Sequence, residues 1–100
     1  MKLLIPMDGD NAQEAQITPI LEAKKWAELI IEEGEVVECN FHDDWRAIKP
    51  LPEAIIIKSD YEPITDFLEM AMMPLVAHFQ KDIDEIVEAY LFKELHDMPV

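Results

Sequence analysis

Soft-metal chemistry draws on thiolates and imidazoles, and the 100-residue chain brings one of each close in sequence at one place. Cys39 and His42, followed by Asp43 and Asp44, supply the ligand types that zinc, copper or an iron–sulfur species prefers. They make half a site, because one cysteine and one histidine leave a four-coordinate ion short of donors. Residues three apart on a continuous strand also face opposite ways, so the pair converges only if the chain bends near Phe41. A buried structural cysteine beside a surface histidine is the plainer reading and outweighs the metal one. Hard-metal chemistry has a second candidate pair. Asp8 and Asp60 are expected at the C-terminal ends of neighbouring parallel strands, where α/β folds bind ligands and paired carboxylates can hold magnesium for phosphodiester cleavage. Turn and cap roles explain both residues with fewer assumptions. Asp8-Gly9-Asp10 lacks the later ligands of a calcium loop. Ser59 is the only serine and suits a helix cap, so no Ser-His-Asp arrangement is indicated. His78 reads as a satisfied histidine ending an apolar strand. Met70, Met72 and Met73 read as core filler, or else as an adaptable partner surface. The expectation is a protein that is not an enzyme.

The elements that must position these residues are clearest from Ala54 to His96. Ala54-Ile55-Ile56-Ile57 is apolar on both faces and too short for a free-standing helix, the pattern of a strand buried in a parallel sheet. Ser59 to Pro63 suits a helix start, and Ile64, Phe67, Leu68, Ala71 and Met72 follow at helical spacing. A helix over Tyr61–Met72 is expected, ended by Pro74, and then a short strand over Leu75–His78. Asp82 with Glu85 three residues later is a capping-box signal for a second helix over Asp82–Leu95. Two strands joined through a helix should lie parallel. Upstream, Lys2–Pro6 reads as a first strand and Met7–Asn11 as a turn. Thr18–Glu33 is ambiguous. Thr18 as cap and Pro19 at the first position fit a helix. Trp26–Glu32, Glu33-Gly34 and Glu35–Phe41 fit a hairpin in which Val37, Cys39 and Phe41 share a face. Asp43–Pro52 reads as a connection with at most a short helical turn, and Asp97–Val100 as a frayed tail.

Composition bounds the function. The length makes one domain, residues 1–100, and half of them are apolar, so a core is available. Twenty-two acidic against 8 basic residues leave a formal charge of −14, which argues against nucleic acid or an anionic membrane as partner. A single cysteine excludes an internal disulfide framework and fits a reducing cytoplasm. Pro6 and Asp8 break the first apolar run too early for a signal peptide, and no run approaches membrane-spanning length.

In order and spacing, these segments resemble the dinitrogenase iron–molybdenum cofactor biosynthesis family. Met1–Asp8 resembles its opening strand, Ile17-Thr18-Pro19 with Trp26–Phe41 its second loop and hairpin, Ala54–Leu68 its strand-loop-helix, and Phe79–Leu91 its closing helix. The resemblance implies a ribonuclease H-like α/β fold of three layers. Its mixed sheet of about five strands would have an antiparallel β1-β2-β3 followed by parallel β4 and β5, with two main helices. It resolves the ambiguous piece as a hairpin. It implies a non-enzymatic carrier of an iron–sulfur or molybdenum-containing cluster, held near the Asp8–Thr18 and Ser59–Glu62 loops. Asp8, Thr18, Ser59 and Asp60 would be the cofactor-binding residues, with Cys39 and His42 as secondary metal ligands. Metallocofactor-assembly proteins or a second copy would be the partners. Two departures stand against this. Ile20-Leu21-Glu22-Ala23 occupies the place of the family's His-Phe-Gly-Arg, and Ser59-Asp60-Tyr61-Glu62 that of its glycine-rich turn. An anionic cluster wants N–H donors and positive charge, where these positions supply carboxylates. The rival expectation is therefore a cluster-free interaction module using an exposed Trp45 and the Met70–Met73 region. A divalent-metal nuclease stands third.

Overall fold

The computed structural model describes residues 1–97, and it organises them around one six-stranded sheet of order β3-β2-β1-β4-β5-β6. The strands are β1 (Lys2–Met7), β2 (Lys25–Glu32), β3 (Glu35–His42), β4 (Ala54–Ile57), β5 (Met73–Val76) and β6 (His96–Asp97). The hairpin β2–β3 pairs antiparallel, as does β1 with β2, while β1, β4 and β5 run parallel. The ribonuclease H-like α/β architecture expected from the sequence is therefore present. Glu33 (φ 52°) and Gly34 (φ 79°) both take left-handed backbone, the two-residue turn whose twist matches the flanking strands.

β4 is central because Ile55, Ile56 and Ile57 are fully buried, and each such side chain stabilises the fold by about 1.5–3 kcal/mol. Strand alternation sends Leu3, Ile5, Ala54 and Ile56 to one face, where Ile83 and Ile86 of α2 (Ile83–Leu91) cover them. It sends Leu4, Ile55 and Ile57 to the other, under Phe67 of α1 (Thr65–Glu69) and Ile64 at its N-cap. Helices on both faces give three layers. Phe67 also packs between two tryptophans, its ring centroid 5.8 Å from Trp26 and 4.7 Å from Trp45.

Several expectations need correction. The sheet has six strands because Lys93 (φ 58°) turns the chain back after α2, letting His96 and Asp97 pair with Val76 and Leu75. Asp97 is thus a strand residue, and the rest of the expected tail, Met98–Val100, lies outside the described residues. Helix α1 is five residues long where twelve were expected over Tyr61–Met72. Residues before Pro63 avoid helical backbone, and Ala71 leaves the helix at φ 62°. Helix α2 starts as expected: Asp82 Oδ1 accepts the Glu85 N–H at 2.8 Å, and Glu85 Oε1 accepts that of Lys81 at 3.0 Å. It stops at Leu91, short of Leu95. Strand β5 spans Met73–Val76 and contains Pro74, where Leu75–His78 was expected. Met73 and Ala77 donate their N–H groups to β4, so the alternating Pro74 nitrogen faces the other side and costs no bond in that pair. Cys39 and Phe41 pack against the core, but Val37 is 50% exposed near the hairpin tip. Trp45 is buried at 4% exposure under α1, so it cannot belong to a contact surface as expected; Met70 and Met73 are exposed.

Candidate functional site

Parallel strands that end side by side leave a rim of loops at their carboxyl ends, and three loops meet there. The first follows β1 (residues 8–24), the second follows β4 (58–64) and the third follows β5 (77–82). They are bonded to one another. The Ile20 N–H donates to Glu62 Oε1 at 3.0 Å, joining the first loop to the second. His78 Nε2 lies 3.2 Å from Asp60 Oδ1, joining the second to the third. The Ile17 N–H donates to the Lys81 carbonyl at 2.7 Å beside a Gln16–Asp82 bridge, joining the third to the first.

Each expected site residue has a local role in this platform. Asp8 Oδ1 accepts the Gln16 N–H at 2.8 Å and closes its own loop. Thr18 is buried, and its N–H donates to the Pro6 carbonyl at 3.0 Å. Ser59 Oγ accepts from the Tyr61 N–H at 3.4 Å, a turn contact in place of the expected helix cap. Asp60 holds His78, whose ring centroid is 5.3 Å from that of His96 at the start of β6. The structure thus brings Asp8, Thr18, Ser59 and Asp60 to one end of the sheet.

It does not bring Cys39 and His42 together. Cys39 pairs with Leu29 and packs into the α2-side core, where burial pushes its thiol above the ordinary value. His42 pairs with Trp26 and projects to the opposite face, its Nε2 2.9 Å from Glu28 Oε1. The chain does not bend enough at Phe41 to join them. Among the described residues no group of three or more His, Cys, Asp or Glu side chains is disposed to hold a metal ion.

The Glu28 assembly was not foreseen. Glu28 is 6% exposed, with Oε2 2.8 Å from Lys2 Nζ and Oε1 against His42. Lys2 Nζ also donates to the Pro50 carbonyl at 3.0 Å. Burial works to raise the Glu28 carboxyl, but the hydrogen bonds from Lys2 and His42 outweigh it and hold the group below the usual glutamate value. The signal available was a charge between Ala27 and Leu29 in an otherwise apolar strand.

A metal–sulfur cluster is a poor match for the rim. Such an anion needs free backbone N–H groups, and those of Gln13, Gln16, Ile20 and Tyr61 already donate to Asn11, Asp8, Glu62 and Ser59. Gly9 provides no close cradle either, since a Cβ there would meet nothing within 4 Å. A cavity of about 490 Å³ lies at the opposite end of the sheet beside Ala54, Met73, Leu75 and Tyr90, and a shallower one of about 210 Å³ lies on the rim beside Asp8, Asp10 and Asn11. No helix is long and apolar enough to cross a membrane among the described residues.

No family model matches the sequence, and no curated protein matches it. Solved structures do. The crystal structure of a "putative dinitrogenase" from Methanocaldococcus jannaschii is similar with a TM-score of 0.76 at 23% identity, over 97% of this chain and 93% of that one. The NMR structure of that protein gives 0.77 at 22% identity, over 100% of this chain and 94% of that one. The crystal structure of PH0822 gives 0.74 at 12% identity, over 97% and 96%. At these identities the likeness is one of fold, and across nearly its whole length the chain has the fold of a protein described as a "putative dinitrogenase".

Proposed function

We propose that the chain is a non-catalytic interaction and assembly module on the dinitrogenase-type fold, working without a bound cluster and using the carboxyl-end rim as its contact surface. The observation that carries this is the use of the rim's carboxylates. They accept the chain's own loop N–H groups, which fixes the loops and removes the donors a cluster would need. The same bonds leave the rim pre-organised, and a surface that need not order itself on binding loses less entropy in complex formation.

The carrier reading stands second, favoured by the likeness to a structure described as a dinitrogenase. One experiment separates the two: anaerobic reconstitution of the protein with iron, sulfide and thiomolybdate, then desalting and metal analysis. The interaction reading expects no retained metal. Metal near one cluster per chain or per dimer, with a charge-transfer band, would sink it and restore the carrier.

A further inference from the structure

Three large apolar side chains stand almost fully in solvent: Leu21 at 85%, Tyr61 at 95% and Phe79 at 81% exposure. One lies on each of the three rim loops, so the three most exposed large apolar side chains among the described residues stand on loops that are bonded to one another. A single exposed apolar residue needs no explanation, but three on one pre-organised platform mark an interaction surface. Aromatic anchors of this kind dominate binding energy where they are desolvated by a partner.

Charge decides what the partner is. The three loop segments carry seven carboxylates against three lysines, within a chain of net charge −14. Glu62 and Asp8 use their oxygens on backbone N–H groups, which leaves their negative charge in place. A second copy would bring the same negative rim against itself, and nucleic acid or an anionic membrane would be repelled. We infer that the rim docks a positively charged protein segment that presents apolar anchors of its own to Leu21, Tyr61 and Phe79. This rests on the interaction reading above and adds the class of partner to it.

The test uses the full chain and two fluorescently labelled peptides with the same Trp and Leu anchors, one interspersed with lysine and arginine and the other with glutamate. Anisotropy titration should show saturable binding of the basic peptide only. Raising the salt concentration should weaken it by about tenfold, as partly screened charges do. The double variant Tyr61→Ser/Phe79→Ser, at exposed positions that leave the fold intact by circular dichroism, should weaken it by roughly tenfold through loss of the anchors. Equal binding of the basic peptide by this variant would reduce the effect to undirected charge attraction and overturn the inference. So would binding of neither peptide, or a dimer in sedimentation that the double variant dissolves. Retained metal after reconstitution defeats the interaction reading itself. If no metal is retained and the basic peptide does not bind, the class of partner alone falls.

Discussion

The molecule places carboxylates in two settings, and they serve different ends. Glu28 is buried in the sheet face between Lys2 and His42, with both oxygens engaged. Asp8, Asp60 and Glu62 sit on the rim, each holding a loop group by a single bond while remaining near solvent. A buried carboxylate must be fully paired, because a missing partner leaves an uncompensated charge. A rim carboxylate bonds in competition with water and contributes little to global stability. The first setting is structural and the second shapes a surface.

Removing the buried charge should give the largest effect. Glu28→Ala leaves Lys2 without its carboxylate in a mostly covered position and should lower unfolding stability by about 3–5 kcal/mol, read from urea midpoints. A loss under 1 kcal/mol would erase the contrast between the settings. The second effect is on pH. Glu28 is depressed in the fold, so its contribution is fully present above the ordinary glutamate value of 4.5 and is lost as pH falls through the lower folded value. Glu28→Gln should therefore flatten the acid limb of the stability curve relative to wild type, read from urea midpoints across the acid range. Identical acid limbs would show that the Lys2 and His42 bonds do not lower that carboxyl.

The rim should respond locally. Glu62→Gln should change global stability by about 1 kcal/mol or less, yet speed hydrogen exchange at the Ile20 N–H, which loses its charge-assisted acceptor. Unchanged exchange would mean the first and second loops are not held by this bond. Smallest of all, Tyr61→Ser and Phe79→Ser should each fall within about 0.5 kcal/mol of wild-type stability in thermal melts, since both side chains stand almost fully in solvent.

Elements whose cause is local were legible in the sequence. Ala54–Ile57 had to be buried on both faces and Asp82 with Glu85 had to cap α2, and both are found. The turn at Glu33-Gly34 is found as well, but the residues left it open against a helix and only the family resemblance resolved it. What was not legible depended on remote partners. Strand β6 is two residues whose only reason to extend is the free edge of β5. Helix α1 looked twelve residues long because its apolar spacing continues through a segment that Pro63 and Ala71 cut at both ends. The exposure of Trp45 was open in the sequence, with the interaction-module expectation placing it outside, because nothing adjacent in sequence reveals Phe67 against it. At the site, the positions of Asp8 and Asp60 at strand ends followed from the fold and the acceptor role of Asp8 from its turn, but the contact of Asp60 with His78 joins two loops that a linear pattern does not connect. The Glu28 assembly joins residues 2, 28 and 42 through strand register, which a linear pattern does not display.

The tryptophan–phenylalanine stack has an optical consequence. Both indoles of the molecule lie on the α1 side of the sheet, Trp26 and Trp45 flanking Phe67, with the Arg46 guanidinium 4.5 Å above the Trp45 ring. Emission excited at the red edge of the absorption band, where only indole responds, therefore reports on one layer alone. Tyr90, on the α2 side, and Tyr61, on the rim, absorb at shorter wavelength and do not contribute to that emission. Indole emission is thus a one-sided probe of the domain, and detachment of α1 would expose both indoles and shift it at once.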